Sequence, residues 1–426
     1  MERKYWNIVA CLLPFNIFIS ELGGYGFRTS IPLLIGFVIL VPSCFLGNKI
    51  RIEKKSVLKI SPLLVIGILN LIFGIIYKIP TYIAYGFIFS FQLPCILLKF
   101  NKDSLRNFAR RFAGWVVIFG GIGLFLAICL VPIEDKQYCG LTENPNQWGE
   151  WQVIIITSAL HLVFSSIPKS RKMAVTIVLA LSVSNVIFCK SRTALLAMLA
   201  VVFAYALYST FNFKILAKQF LCICLTCVLV FPIAFYSLQN IPNVTCKLLS
   251  NLVSNQITDN VGNKDNNSLS SLIDSVWDRY SKGINDGASF SSGRFEIWKV
   301  YASELSFKGH KPDQLIAYPD EDNSAKEDAH NTFLQIGYQN GLIGMLALII
   351  IVVVLGIFYL MKFLYREITL DEVYYASLYL IAVVYMMLSS SFGPYNSFTL
   401  IGFWIFSLGG YATLMNNRYM IENIGD

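Results

Sequence analysis

Long apolar runs are the feature of this sequence that most constrains its fold. A helix needs about 20 apolar residues to cross the hydrocarbon core of a bilayer, and runs of that kind recur along most of the chain. Hydrophobic residues make up 55% of the 426 residues and charged residues 14%, with a mean hydropathy of +0.59. Soluble domains of this length do not have such a composition, so the sequence predicts a polytopic membrane protein.

The apolar runs predict an all-α fold with about twelve membrane-spanning helices. The predicted spans are 6–20, 30–46, 61–77, 81–98, 113–132, 150–167, 173–189, 193–208, 220–238, 337–360, 374–391 and 398–414. The first follows Arg3 and Lys4 as a signal peptide would, but no small-residue cleavage site comes after it. We therefore expect it to be the first span of the protein.

The distribution of lysine and arginine predicts the orientation of the spans. These residues collect on the cytoplasmic side of short connections, and an inside N-terminus places most of them there. One large, mostly helical periplasmic loop is then expected between the ninth and tenth spans. The chain divides into residues 1–239 with nine spans, 240–330 as the outer loop, and 331–426 with three spans and a short cytoplasmic tail.

One short outer connection breaks this charge rule. Lys190 and Arg192 lie in a minimal turn between the seventh and eighth spans. Both side chains can reach the outer head groups along the membrane surface. Alternatively, they form a fixed phosphate clamp, since the planar donor fork of arginine suits a diphosphate. The residues alone leave both interpretations open.

A second outer connection contains Asn144-Pro145-Asn146. Proline disfavours the helical conformation in the residue before it, so this tripeptide predicts a tight turn. Its amides could also bind a sugar or a phosphate, which the turn alone does not establish.

The outer loop holds a short predicted helix. Ser291 and Ser292 are plausible caps, after which Arg294, Trp298 and Tyr301 share one helical face. We expect Trp298 and Tyr301 to pack the loop onto the membrane domain, with Arg294 at the edge of the covered surface. Further along, Asp320 and Asp322 match a short D-x-D metal signature, but a solvated acidic turn is the better interpretation.

The three histidines have different settings in the sequence. His161 lies within an apolar span and is expected to pack or to bond another helix. His310 lies in a glycine-proline turn and is expected at the surface. His330 opens a helix whose dipole favours a neutral imidazole, which is the form that a general base requires.

Cysteine usage adds one open possibility. Cys139 and Cys246 are both expected outside the membrane, so a single disulfide bond between them is conceivable. No nucleotide-binding loop, metal-spaced His/Cys set or serine-hydrolase elbow is present in the sequence.

Together these motifs resemble the O-antigen ligase and polymerase superfamily. The resemblance covers about residues 130–360, and the order and sidedness of the motifs carry it. The motifs are Asn144-Pro145-Asn146, Ser191-Arg192-Thr193-Ala194, Ser292-Gly293-Arg294 with Trp298, and His330-Asn331 followed by Gly337, Gly341 and Gly344.

The resemblance implies a membrane glycosyltransferase that takes a glycan from undecaprenyl diphosphate at the periplasmic face of the bacterial inner membrane. It further implies that neither a nucleotide sugar nor a metal is used, and no other cofactor or nucleic-acid partner is expected. Arg192 and Arg294 would hold the diphosphate and His330 would activate the acceptor hydroxyl. Lys190, Asn144, Asn146 and Asn331 are the accompanying candidates for substrate binding.

Two other functions remain open at this point. A polymerase of the same superfamily would use the same residues to extend one lipid-linked repeat with another, whereas a ligase would transfer the glycan to lipid A core. A polysaccharide flippase would have a similar number of spans. A transporter is expected to carry ionisable residues or broken helices near the membrane midplane, and the candidate charges here lie at the outer edge.

Overall fold

The computed structural model of the chain describes residues 2–21, 38, 41, 54–95, 102–133, 137–142, 144–211, 213–253, 294–310, 316–317, 326–327 and 329–389. Within this part of the chain the fold is helical, apart from one pair of two-residue strands. The all-α prediction is therefore confirmed for the described residues.

The helices are, in chain order, α1 (Glu2–Glu21), α2 (Lys54–Tyr77), α3 (Pro80–Phe87, extended by a π-helical turn over Ile88–Gln92), α4 (Lys102–Leu130), α5 (Pro145–Phe164), α6 (Lys169–Phe188), α7 (Arg192–Phe211), α8 (Phe213–Val253), α9 (Arg294–Ser303), α10 (Thr332–Leu364) and α11 (Leu370–Leu388). Strands β1 (Ile316–Ala317) and β2 (Lys326–Glu327) pair antiparallel between α9 and α10.

Seven of the helices are long and apolar enough to cross a membrane, namely α2, α4, α6, α7, α8, α10 and α11. The predicted spans 6–20, 81–98 and 150–167 fall on α1, on α3 with its π-helical turn, and on α5, which do not reach that standard. Span 398–414 and nearly all of span 30–46 lie outside the described residues. The protein is thus a multi-pass membrane protein, and the count of twelve spans stays a prediction.

Helix α5 forms the centre of the bundle. Every residue from Trp148 to His161 is buried, and the helix packs against α4, α6, α7 and α11. It buries polar side chains together with apolar ones, including Glu150 and Gln152. This content explains why α5 is less apolar than a lipid-facing span, since its neighbours are protein rather than lipid.

Helix α11 runs antiparallel to α5 and connects the two ends of the bundle. The hydroxyls of Ser158 and Tyr374 lie 3.1 Å apart near its start, and the Tyr385 hydroxyl lies 3.3 Å from the Asn146 carbonyl near its end. A capping box begins the helix: Thr369 Oγ1 accepts from the Glu372 amide, and Glu372 Oε2 accepts from the Thr369 amide. Such reciprocal bonds satisfy amides that the first helical turn leaves open.

Charged side chains gather where α11 begins, and we call this the basic end. Asp371 lies 3.2 Å from Arg106, 3.9 Å from Arg110 and 3.5 Å from the imidazole of His161. Lys362 pairs with Glu372 at 2.9 Å. Arg106, Arg110 and Lys362 come from segments predicted to be cytoplasmic, so the structure places these predicted inner segments at one end of the bundle.

The ring of His161 packs against Tyr374, with centroids 4.7 Å apart, and is fully buried. The prediction that His161 is a packing residue is therefore confirmed. Helix α8 continues to Val253, past the predicted boundary at 239, so the chain is still helical where the outer loop was expected to start. The three-part division of the chain and the orientation of the bundle in a membrane stay predictions.

Candidate functional site

The Asn144-Pro145-Asn146 turn starts helix α5. Asn144 has extended backbone geometry and is the N-cap, where its side chain accepts a 2.8 Å bond from the amide of Asn146. Pro145 occupies the first helical position. The lack of an N–H costs no hydrogen bond there, because the first N–H groups of a helix have no partner within the helix. The predicted turn is confirmed, and one lone pair of the Asn144 oxygen serves the cap while its side chain remains exposed.

The side chain of Asn146 joins this turn to the Lys190–Arg192 turn. Ser191 Oγ donates a 2.6 Å bond to Asn146 Oδ1 and accepts one of 3.2 Å from the amide of Ala194. The helices meet closely here, because a Cβ on Gly149 would lie only 2.6 Å from the Cβ of Ala194. Glycine at position 149 therefore permits the N-termini of α5 and α7 to converge.

Lys190 and Arg192 flank Ser191 at this junction. Lys190 has a left-handed backbone with φ of 51° and is only 4% exposed, so its side chain does not extend to the surface as the head-group interpretation requires. Arg192 is the first residue of α7 and is half-buried. The two cations thus occupy a fixed, mostly buried turn.

His330 and Asn331 lie at the start of α10. Asn331 is the N-cap, accepting a 3.1 Å bond from the amide of Leu334, and helix α10 begins at Thr332. His330 therefore precedes the cap rather than opening the helix as predicted, and its backbone is left-handed with φ of 43°. Such a conformation is uncommon outside glycine and fixes the direction in which the chain enters α10.

The end of α11 brings these motifs together. The side-chain Nδ2 of Asn331 donates a 3.0 Å bond to the carbonyl of Met387, and the Thr332 hydroxyl donates one of 3.0 Å to the carbonyl of Ser389. One turn earlier, Tyr385 donates to the carbonyl of Asn146. The start of α10 and the start of α5 thus lie beside the last turn of α11, and we call this region the site end.

Arg294 belongs to helix α9, which packs on α10 near His330. It is the first residue of α9 and is half-buried. Ile297 and Tyr301 are buried on this helix in a cluster with Ala329 and Tyr338, and the rings of Tyr301 and Tyr338 meet edge to face at 5.2 Å. Helix α9 is therefore anchored beside the residue that precedes His330.

The buried face of α9 differs in part from the predicted one. Tyr301 packs onto the membrane domain as expected, but its buried companion is Ile297. Trp298 is half-buried, and its ring meets Phe295 edge to face at 5.3 Å. The predicted caps Ser291 and Ser292 lie outside the described residues.

His310 does not lie free at the surface, contrary to expectation. Its ring stacks on Tyr338 with centroids 4.1 Å apart and planes 9° apart. Its backbone amide also donates a 2.8 Å bond to the Tyr338 carbonyl. The segment that ends at His310 therefore docks on the first turns of α10, because His310 contributes both a stacked ring and a hydrogen bond.

Two residues that the motifs did not identify also belong to this region. Tyr385 is one, and no local signal pointed to it. Glu150 is the other: it lies one turn after Asn146, is fully buried, and neither carboxyl oxygen has a hydrogen-bond partner among the described residues. A carboxylate within an apolar span is rare enough to be a signal by itself, although in sequence Glu150 stands at the edge of a predicted span.

The remaining predicted chemistry is less fully described. Burial raises the pKa of the Cys139 thiol. The side chain of Cys246 lies outside the described residues, so the disulfide between the two stays a prediction. Asp320 and Asp322 also lie outside them. Within the described part of the chain, no group of three or more His, Cys, Asp or Glu side chains could hold a metal ion.

A comparison with protein families matches residues 177–349 to the family described as O-antigen ligase. The matched range includes Lys190, Arg192, Arg294, His330 and Asn331. No curated protein matches the chain. The family match confirms the resemblance found in the motifs and supports membership of the chain in the superfamily of O-antigen ligases and polymerases. Members of this family are membrane enzymes of the glycosyltransferase type.

Proposed function

We propose, from membership in the O-antigen ligase and polymerase superfamily, that this protein transfers a glycan from undecaprenyl diphosphate to an acceptor at the periplasmic face of the inner membrane. We favour lipid A core as the acceptor. One observation carries the proposal: hydrogen bonds join the end of α11 to the Asn144–Asn146 turn and to the start of α10, and Ser191 joins the Lys190–Arg192 turn to Asn146.

The proposed donor needs no further activation. The bond between the sugar and the lipid diphosphate already has a good leaving group, and no nucleotide is present outside the inner membrane to drive a transfer. What the protein must supply is stabilisation of the charge that develops on the diphosphate, which is usually the largest catalytic contribution.

Arg192 and Arg294 are the proposed binders of the diphosphate. Arginine offers parallel N–H donors that match phosphate oxygens, and both residues begin helices. The backbone amides of a helix N-terminus also favour a bound anion. Lys190, in the same turn as Arg192, adds a third positive charge, while Asn144, Asn146 and Asn331 place polar amides nearby.

His330 is the proposed general base. In the transfer, the acceptor hydroxyl gives its proton to the imidazole as its oxygen attacks the anomeric carbon. The bond from that carbon to the diphosphate oxygen breaks, and its electron pair leaves with the lipid diphosphate. The left-handed backbone of His330 and the cap at Asn331 hold the residue at the edge of α10, where a hydroxyl of the acceptor can approach.

The test is a transfer assay with purified protein, a lipid-linked polysaccharide donor and two acceptors, lipid A core and a lipid-linked single repeat. We expect transfer to lipid A core in EDTA and without nucleotide. Transfer only to the lipid-linked repeat indicates a polymerase. Activity that returns only with added magnesium or manganese contradicts the metal-independent site and directs attention to Asp320 and Asp322. Movement of the donor across a vesicle membrane without transfer indicates a flippase.

A further inference from the structure

Helix α10 is broken near the site end. Gly341 has φ of 77° and ψ of 174°, which no helix accommodates. A break removes hydrogen bonds between successive turns and leaves backbone groups to be satisfied by other means. Broken helices in membrane proteins are tolerated where protein covers them or where they line a cavity, and in transporters they form binding sites.

The segment after α9 supplies part of the missing hydrogen bonding. The amide of Leu342 donates a 3.0 Å bond to the carbonyl of Ser306, and His310 donates to Tyr338. The two backbones approach so closely that a Cβ on Gly309 would lie 2.3 Å from the Gln339 carbonyl oxygen, and one on Gly341 would lie 2.2 Å from that of Phe307. The break is therefore stabilised by close backbone contact between the segment after α9 and helix α10.

Near this break, atoms of two glutamine side chains lack hydrogen-bond partners among the described residues. Gln339 is 1% exposed, and neither atom of its amide has a partner among the described residues. Gln335 is 4% exposed, and its Nε2 has none either. Buried polar groups in folded proteins are nearly always satisfied, so orphaned amides require an explanation.

Gln335 also lies close to the proposed general base, and Gln339 follows it one turn farther along α10. They are one helical turn apart and so share a face of α10. Gln335 Oε1 accepts a 2.8 Å bond from the amide of Ala329, the residue before His330. The Nε2 of Gln335 and the side-chain amide of Gln339 therefore lie along one face of α10, and this face begins beside the residue before His330.

We propose that Gln335 and Gln339 bind hydroxyl groups of the acceptor saccharide. This inference rests on the proposed function and adds a substrate subsite to it. A carboxamide presents donors and an acceptor without charge, which suits a sugar hydroxyl that both donates and accepts. A diphosphate would instead be bound by cations. The candidate cations Lys190, Arg192 and Arg294 do not belong to α10, where the two glutamines lie. The subsite orients the acceptor so that its reacting hydroxyl meets His330.

The test compares steady-state transfer by wild type and Gln339→Met, with lipid A core and the lipid-linked single repeat as acceptors. Methionine keeps the length and bulk of the side chain and removes its hydrogen bonds. Loss of one uncharged hydrogen bond corresponds to a change of about 3- to 10-fold. We expect the KM for the acceptor to rise by about that factor, with kcat and the binding of the lipid-linked donor unchanged.

Gln152→Met is the matched control. Gln152 is fully buried on α5, and neither amide atom has a partner among the described residues, yet the proposal gives it no role. We expect its acceptor KM to equal that of wild type. An equal rise in both variants would show a general packing effect and overturn the proposal.

Other outcomes separate this subsite from the proposed function. If wild type transfers and Gln339→Met keeps the wild-type KM, the subsite is wrong and the amides have only a structural role, for example through buried water. If wild type transfers to neither acceptor, the proposed function is wrong and the subsite falls with it. Should Gln339→Met fail to fold, Gln339→Asn keeps the amide but retracts it, and an unchanged KM in that variant also overturns the proposal.

Discussion

The two ends of the helix bundle are held together by different forces. At the basic end, Asp371 and Glu372 pair with Arg106, Arg110 and Lys362. At the site end, hydrogen bonds between uncharged groups contribute to joining the elements, such as those from Ser191 to Asn146 and from Asn331 to Met387.

This difference indicates how charge is used in each region. Cations at the basic end have carboxylate partners within the fold, so they serve its structure. At the site end, Lys190 and Arg192 lie in a turn that hydrogen bonds of Ser191 hold in place, and together with Arg294 they are the proposed binders of an anionic substrate. Substitutions at the site end should mainly change transfer, and those at the basic end should mainly change stability.

The largest effect on transfer is expected for His330→Ala. General bases contribute about 10²- to 10⁴-fold, so the rate should fall by that factor while the protein still inserts and binds its donor. Single-turnover transfer and donor binding, measured on the same preparation, separate these steps. Near-normal transfer at wild-type expression would show that His330 serves only as an anchor of α10.

Arginine-to-lysine changes sharpen the comparison of the two ends. Arg192→Lys and Arg294→Lys keep the charge but lose the paired donors, so we expect transfer to fall by about 10²- to 10³-fold, as for the loss of other oxyanion-stabilising donors. Arg106→Lys at the basic end is the control and should retain transfer, because the exposed Arg106 side chain pairs with Asp371 rather than with a proposed substrate. Retained transfer in Arg294→Lys would remove that residue from the site.

A smaller effect is expected for Ser191→Ala. The change removes the 2.6 Å bond to Asn146 and also the acceptor for the amide of Ala194. A hydrogen bond of this kind contributes about 0.5–1.5 kcal/mol, which corresponds to roughly a 3- to 10-fold loss if the turn must be fixed for catalysis. Transfer kinetics with Ser209→Ala as a control would reveal it, and unchanged rates would show that the turn tolerates movement.

Asp371→Asn should have the smallest effect on transfer and a clear one on stability. The substitution leaves Arg106 and Arg110 without their shared carboxylate, although both arginines are about half exposed, so solvent screening reduces the loss to about 1–3 kcal/mol. Thermal unfolding in detergent measures the stability, and transfer per folded molecule should remain within about twofold of wild type. Loss of transfer in fully folded protein would contradict the division between the two ends.

The sequence predicted those parts of the structure that depend on local patterns. Long apolar runs became helices, the Asn-Pro-Asn turn became an N-cap, and Tyr301 packed as its spacing indicated. Contacts between distant segments were beyond such reasoning. Nothing near Tyr385 indicates that its hydroxyl meets Asn146, 239 residues away. His310 was predicted at the surface and is partly buried, since its ring stacks on Tyr338 and its neighbours in sequence do not reveal that contact.

The break at Gly341 shows a similar limit. The glycines at 309 and 341 were visible in the sequence, and the second was already part of a motif. Their left-handed backbones and close approach depend on the docking of two segments. Gln339 is buried beside this contact, whereas the sequence shows it only as a polar residue near the edge of a predicted span.

Photocrosslinking with the donor tests the central claim most directly, namely that the site end binds the lipid diphosphate. A polyprenyl-diphosphate-linked glycan with a photoreactive group beside the diphosphate would be crosslinked to the protein in membranes, and the labelled peptides identified by mass spectrometry. We predict labelling of the peptides that contain Arg192, Arg294 and His330, with competition by unlabelled donor. Labelling confined to the peptides that contain Arg106, Arg110 or Asp371 would contradict the account.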